Sequence, residues 1–358
     1  MNGRAALQRS ARRASRSPAL AGAVGVLERA SRPLPGMLPV HTYHRVDEPE
    51  GSPGLYPGLI GATPAEFDEH MRFLSSVHTP LSLPELLAVR RGEKALPPRA
   101  VMVTFDDGYR SVAEHAWPTM RRHGVPLTLF VPTAYPGEPG TAFWWDRLWS
   151  ALGGKRAVAR TPLGELRVRT PGERLRAYRR LRGLVQSLPH EEAMAVVDDV
   201  CRDSGAEAPV ASVLDWDTLR RLAAEGVALG PHSRTHALVH RLSRADAHEE
   251  ILGSLRDLER EVGPIPRVFA YPGGGVDREA TSFLRDEGFE LAFATRRGVN
   301  DLGRSDWLRL RRINVGRSSG LTGVRLQLLP QWARLQRMRE RSSRLPYDYR
   351  LGDQEPAW

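Results

Sequence analysis

Short apolar runs, each leading into a helical pattern, recur along most of this chain and limit what it can fold into. "MLPVHTYHRV" (37–46), "AVMVTF" (100–105), "PLTLFVP" (126–132), "VALGPH" (227–232), "RVFAYP" (267–272) and "FELAFAT" (289–295) read as strands, apolar or β-branched at most positions. Such continuity means that both faces of the strand are covered, which is the habit of a parallel sheet, and parallel neighbours need a crossover, usually a helix. The helical patterns are present. "PAEFDEHMRFLSSV" puts Phe67, Met71 and Leu74 on one face, and "PELLAVRRG", "AEHAWPTMRRHG", "DTLRRLAAEG", "RADAHEEILGSLRDLEREVG" and "REATSFLRDEG" follow the other runs. About seven such units predict an α/β chain closed into a barrel rather than an open sheet.

Residues 137–213 interrupt the rhythm. They open with "GEPGTAFWWDRLWSALGG" and continue through the Arg-rich "ERLRAYRRLRGLVQSL", with "GELRVRT" the one strand-like run. The expectation is a largely helical insertion between two barrel units. Charge is distributed as unevenly as structure. Of a net +10, residues 1–36 carry +6, residues 155–182 carry +8 and residues 331–350 carry +4, so the remainder is acidic. The chain therefore reads as a basic N-terminal arm (1–36), a barrel (37–330) and a basic C-terminal tail (331–358), with the arms suited to an anionic membrane surface. "PALAGAVGVL" (18–27) is short, rich in Ala and Gly, and closed by Glu28 and Arg29. It falls well below a membrane span and is a poor signal peptide, so a cytoplasmic, peripherally attached protein is expected. Cys201 is the single cysteine, which excludes an intrachain disulfide and a cysteine-based metal site.

The chemistry-bearing residues fall where a parallel barrel presents function, at the C-terminal ends of strands. Asp106 and Asp107 follow "AVMVTF", His232 and His236 follow "VALG", and "AYPGGG" follows "RVF". Four residues apart on a helical turn, the two imidazoles would share a face, within reach of one ion. Two histidines and one carboxylate with open positions suit a catalytic divalent metal, Zn²⁺ being the first candidate. Adjacent carboxylates repel unless a cation or proton intervenes. One of the pair can bind the metal while the other stays free to take a proton from water.

In this order, "TFDDG" (104–108), "HSRTH" (232–236) and "FAYPGG" (269–274) resemble the first three motifs of the polysaccharide deacetylases, the NodB-homology carbohydrate esterases, in the branch that reads "FAYPxG". The resemblance covers roughly 37–135 and 214–315. It implies a distorted (β/α)₇ barrel that removes acetyl groups from sugar polymers, with Asp106 as general base and Asp107, His232 and His236 as metal ligands. It also implies Tyr271, Pro272 and Gly273 at the substrate and the oxyanion. Two departures accompany it. The arginine that orients the base in that family's third motif has no counterpart at Ala270–Gly273, and the late Leu-x-His histidine is absent from "LRLRRINV". "TYHRV" (42–46) resembles instead the early strand of the branch acting on poly-N-acetylglucosamine, where a histidine supplies the acid. That makes His44 the candidate, with His41, taken to lie on the same face, as the competitor.

Together these readings predict a metal-dependent hydrolase of carbon–nitrogen bonds in N-acetylated sugars, acting on a carbohydrate in glycan biosynthesis. Trp144 and Trp145 would either stack on sugar rings or pack inside the insertion. The alternatives are a small-molecule amidase on the same scaffold and a basic nucleic-acid- or membrane-binding protein with a vestigial site. No nucleic-acid-binding signature supports a nucleic-acid partner.

Overall fold

The computed structural model describes residues 17–138, 141–154, 156–205, 209 and 212–335. The basic residues before 17 and after 335, on which the membrane expectation mainly rests, lie outside the described residues. In chain order the helices are α1 (Pro18–Ala30), α2 (Pro64–Val77), α3 (Leu83–Arg90), α4 (Trp117–Arg122), α5 (Trp144–Ala151), α6 (Pro171–Val185), α7 (His190–Ser204), α8 (Trp216–Ala224), α9 (Arg244–Val262), α10 (Arg278–Asp286) and α11 (Gly320–Leu328). The strands are β1 (Met37–Tyr43), β2 (Arg45–Val46), β3 (Ile60–Ala62), β4 (Thr79–Pro80), β5 (Ala100–Phe105), β6 (Thr128–Val131), β7 (Val158–Thr161), β8 (Gly164–Arg167), β9 (Ala228–Pro231), β10 (Val268–Ala270), β11 (Leu291–Phe293), β12 (Val299–Asp301) and β13 (Ile313–Asn314).

Local chemistry explains several helix starts. Thr63, Ser82 and Thr170 each accept a hydrogen bond from the backbone N–H of a glutamate three residues on, whose carboxylate in turn accepts one from the cap residue's own N–H. These reciprocal capping boxes, each with proline in the first turn, satisfy donors that a helix start leaves unpaired. The expected helix at 113–124 begins instead with a wide π-type turn, Val112–Ala116, before α4.

Seven parallel strands, β1, β5, β6, β9, β10, β11 and β13, form a distorted (β/α) barrel. β1 pairs with β5, β5 with β6 and β6 with β9, all parallel. β10 pairs with β11, a parallel bridge joins Phe293 to Leu310, and β13 returns to β1. The expectation had no β12, which runs antiparallel to β1 through Met37–Asp301, Leu38–Asn300 and Pro39–Val299. Period-2 alternation sorts the side chains. Leu38, Val40, Met102, Phe130, Val268, Ala270, Leu291 and Phe293 fill the barrel, while Tyr43, Val101, Val103, Phe105, Leu129 and Leu229 meet the surrounding helices.

Helix α1 occupies part of the stretch expected to be a basic arm. It buries Val24 and Gly25, and Glu28 pairs with Arg325 of α11. Among the described residues no helix is long and apolar enough to cross a membrane. Between β6 and β9, helices α5, α6 and α7 share a core with the antiparallel hairpin β7–β8, so "GELR" is one half of a ribbon whose other half, Val158–Thr161, carries no strong strand pattern. Tyr56 and Tyr109, from outside the insertion, also enter that core.

Phe130 lies at 0% exposure inside the barrel with its ring centroid 5.3 Å from that of Phe293. Phe130→Ala should therefore destabilise the fold by about 3–5 kcal/mol, read as a lower midpoint in urea with the slope unchanged. A loss below about 1 kcal/mol would mean that the barrel interior is not close-packed there.

Candidate active site

Strand alternation carries directly into the site. In β5 the even positions point inward, and Thr104 donates to His41 O and bonds Thr42 Oγ1 across the strand pair. Asp106 keeps that parity, its N–H giving a further bond to Tyr43 O at 3.1 Å. The backbone then turns left-handed at Asp107 (φ 71°) and Gly108 (φ 67°). Positive φ is uncommon for a non-glycine residue and marks a position held by its surroundings. Both carboxylates are about 1% exposed.

Each carboxylate meets different company. Asp106 receives a bidentate pair from Arg312, Nη1 to Oδ1 and Nη2 to Oδ2, both at 2.7 Å. Arg312 is itself buried, donates from Nε to Ala294 O at 3.2 Å, and lies over the Phe130 ring. Burial alone would push the Asp106 pKa up, but the Arg312 charge, helped by His232 and His44, outweighs it and holds the carboxyl below its ordinary value. Among the described residues no guanidinium is paired with Asp107. Burial opposes its ionisation too, yet the His236 imidazole, followed by His44 and His232, brings its pKa to about 2.

The two histidines approach Asp107 from the end of β9. His232 N–H donates to Val131 O, and its Nδ1 lies 2.7 Å from Ala270 O. A carbonyl only accepts, so Nδ1 carries the proton and the Nε2 lone pair faces the carboxylates. That Nε2 is 3.7 Å from Asp107 Oδ1 and 3.9 Å from Asp106 Oδ2. His236 Nε2 is 3.3 Å from Asp107 Oδ1. The helical turn expected for "HSRTH" is not what joins them. Residues 232–236 form a loop with Ser233 and His236 both at φ 60°, and the left-handed residues rather than a helical pitch bring the rings to 4.9 Å. Glu250 of α9 fixes this loop by accepting from Arg234 N (2.8 Å), Thr235 N (2.9 Å) and Thr235 Oγ1 (2.7 Å).

One ligand atom each from Asp107, His232 and His236 lie within 4.8 Å of one another. Burial lowers the His232 pKa to about 4, against its carboxylate neighbours, so the ring is neutral at pH 7. Asp107 Oδ1 is buried without a hydrogen-bond partner among the described residues. An ionised oxygen facing imidazole nitrogens, in a pocket that leaves it unsatisfied, fits a divalent cation with an O,N,N donor set.

The remaining candidates separate. His44 sits just past β1, half-buried, and its charge acts on both Asp106 and Asp107. His41 does not share its face. His41, inside β1, lies at 0% exposure with His70, His78 and Arg297 as its titratable neighbours, whereas His44 lies in the bend after β1 and faces the two aspartates electrostatically. Tyr271 is also placed away from the site. It has the outward parity of Phe269 and donates its hydroxyl to Leu308 O at 3.0 Å. Pro272 and Gly273 lie at the turn after β10, where Gly274 (φ 72°) allows a Cβ no room, its nearest neighbour being Thr295 Oγ1 at 1.9 Å. Trp145 is buried in the insertion core rather than open to a sugar, its ring 4.6 Å from that of His236.

Arg312 is the site residue that sequence reasoning missed. Its signal was present in "LRRINV", where two adjacent arginines precede the strand residues Ile313 and Asn314 and alternation sends one of them inward. Nothing local names its partner, 206 positions upstream.

Comparisons with known proteins bear on the family and the fold. The profile described as polysaccharide deacetylase matches residues 93–292, more than half of the chain. YxkH of Bacillus subtilis (strain 168), provisionally named a polysaccharide deacetylase, is 26% identical over 98 residues, 27% of this chain and 32% of that protein. The chain thus spans about a third of the length of that relative. The structure of the Streptococcus pyogenes deacetylase PplD in complex with acetate superposes with a TM-score of 0.56 at 15% identity, over 83% of this chain and 100% of that one. IcaB from Ammonifex degensii superposes with a TM-score of 0.53 at 20% identity, over 82% and 97%. At those identities the structural likeness establishes the fold, and the profile match establishes more: this chain belongs to the polysaccharide deacetylase family.

Proposed function

We propose that the chain removes acetyl groups from N-acetylated sugars of a polysaccharide or glycan intermediate, using a divalent cation, Zn²⁺ by the donor set, held by Asp107, His232 and His236. The observation that carries this reading is two adjacent buried carboxylates in unlike surroundings, one locked to Arg312 and the other facing two imidazoles. What the bound cation supplies is Lewis acidity at the acetyl carbonyl and at the attacking water. Asp106 takes the proton of that water. Arg312 holds both of its oxygens in one orientation and keeps it ionised at neutral pH, while each oxygen retains a lone pair for the transfer. The glycine turn after β10 brings backbone close to the substrate, where N–H groups can face the oxyanion. His44 protonates the departing amine, a role supported by its electrostatic reach to both aspartates.

Removing Arg312 leaves a buried carboxylate without its counter-charge. Arg312→Met should cost about 3–5 kcal/mol at pH 7, measured by chemical denaturation. In the parent chain the stability due to the depressed Asp106 pKa is present above the unfolded value near 3.9 and is lost as pH falls through the folded value. In the variant burial prevails and the folded pKa rises. The acid limb of the kcat/KM profile should accordingly move to higher pH, and an unmoved limb would show that Arg312 does not govern the base.

The two aspartates should separate on isosteric substitution. Asp106→Asn should bind Zn²⁺ normally and lose turnover by about 10² or more, whereas Asp107→Asn should lose metal. Atomic-absorption stoichiometry together with acetate release distinguishes them, and the opposite pattern would exchange their roles.

A general acid matters in proportion to how poor the leaving group is. His44→Ala should slow deacetylation of N-acetylglucosamine oligomers by roughly 10²–10⁴ and scarcely affect an activated aryl acetate, whose phenolate departs unprotonated. Equal losses on both substrates would assign His44 a structural role.

A further inference from the structure

The metal-site histidines are oriented by different means. His232 is fixed by its Nδ1 hydrogen bond to Ala270 O, the usual device by which a ligating imidazole is held. His236 has no such bond. Its Nδ1 is buried without a hydrogen-bond partner among the described residues. The ring instead meets an aromatic wall from the insertion, with Trp145 at 4.6 Å and 68° and Phe143 at 6.0 Å and 64° between centroids and planes. Phe143 and Trp145 stack on each other at 4.5 Å and 10°, so the wall is a single slab.

That slab is anchored by hydrogen bonds, not by apolar packing alone. Trp145 Nε1 donates to Tyr109 Oη at 2.8 Å, and Tyr109 donates to Asp146 Oδ2 at 2.7 Å. Asp146 Oδ1 accepts from Tyr56 N at 2.6 Å. Asp146 is at 0% exposure, and Arg45 lies 5.5 Å above the Tyr109 ring. A buried carboxylate is expensive unless it is well satisfied. Here it draws together three segments: the insertion, the turn two residues beyond Asp107, and the loop before β3.

We propose that the insertion is a working part of the metal site, with Trp145 setting the orientation of the His236 imidazole and Asp146 anchoring Trp145 through Tyr109. The proposal rests on Asp107, His232 and His236 being the cation site. Trp145 and Asp146 are positioning residues, since neither is itself one of those ligands. Their work is to confine the ring, so that less ordering would be needed when a cation binds.

The test uses the full chain and Zn²⁺ alone, with affinity measured by competition against a chromophoric chelator and the melting temperature of the metal-free protein measured in parallel. Trp145→Leu and Asp146→Ala should each weaken Zn²⁺ binding by about 10–100-fold, the range typical of residues that orient ligands. Trp145→Phe, which keeps a ring against His236, should retain most of the affinity. Leu181→Ala removes a buried side chain of α6 from the same insertion core. It should lower the melting temperature and leave affinity unchanged. Co²⁺ loaded in place of Zn²⁺ should show altered d–d absorption in Trp145→Leu and not in Leu181→Ala. Parental affinity in Trp145→Leu would overturn the proposal, as would an equal loss in Leu181→Ala. Failure of the parent chain to bind Zn²⁺ would remove the cation site itself, and the proposal with it.

Discussion

Burying two ionised carboxylates next to each other is the condition around which the mouth of this barrel is organised. Each would lose several kcal/mol of hydration with nothing in return. The chain answers the first charge from within, through Arg312 beside β13, which flanks β1 on the side away from β5. It answers the second only with imidazoles, one of them neutral at pH 7. This asymmetry gives identical side chains different chemistry. One aspartate is kept ionised and fixed, and the other has an oxygen that the described protein leaves unsatisfied.

Much of the scaffold was legible because it follows from periodicity. The apolar runs gave the parallel strands, and the position of each run placed Asp106, Asp107, His232 and His236 at one rim. What was not legible depended on contacts that a local pattern does not encode. β12 is three residues long and owes its strand character to pairing with β1. The arginine facing Asp106 could not be found at the family's usual motif because it arrives from beside β13. Spacing alone misassigned "HSRTH" to a helical turn. Two left-handed residues, Ser233 and His236, achieve the same convergence, and neither is the glycine that would announce positive φ in a sequence. His41 and His44 separate because β1 ends at Tyr43, so that one histidine belongs to the strand and the other to the bend beyond it.

The insertion looked like an interruption in the sequence and is continuous with the barrel in space. Its core includes Tyr56 and Tyr109, which belong to barrel loops, beside Val213 at its own C-terminal end. The antiparallel bridge between Tyr109 and Val213 lashes the turn after β5 to the chain returning from the insertion, with Leu214 N donating to Gly108 O at 2.8 Å. A segment attached this way transmits its own packing to the DDG turn. The aromatic clustering in "FWWDRLW" is therefore better read as wall than as sugar platform.

The closing of the ring bears on how the chain is made. β1 has β5 on one edge, and its other edge is taken by β12 and β13, with His41 paired to Ile313. During synthesis that second edge has no partner until nearly the whole barrel has left the ribosome. At roughly 5–20 residues per second the wait is on the order of tens of seconds. For that time a strand carrying Leu38 and Val40 is open to pairing with other chains. Ring closure also brings Arg312 to Asp106, so a nascent chain that stalls before β13 combines an unprotected edge with an unneutralised carboxylate, and is a natural client for a chaperone.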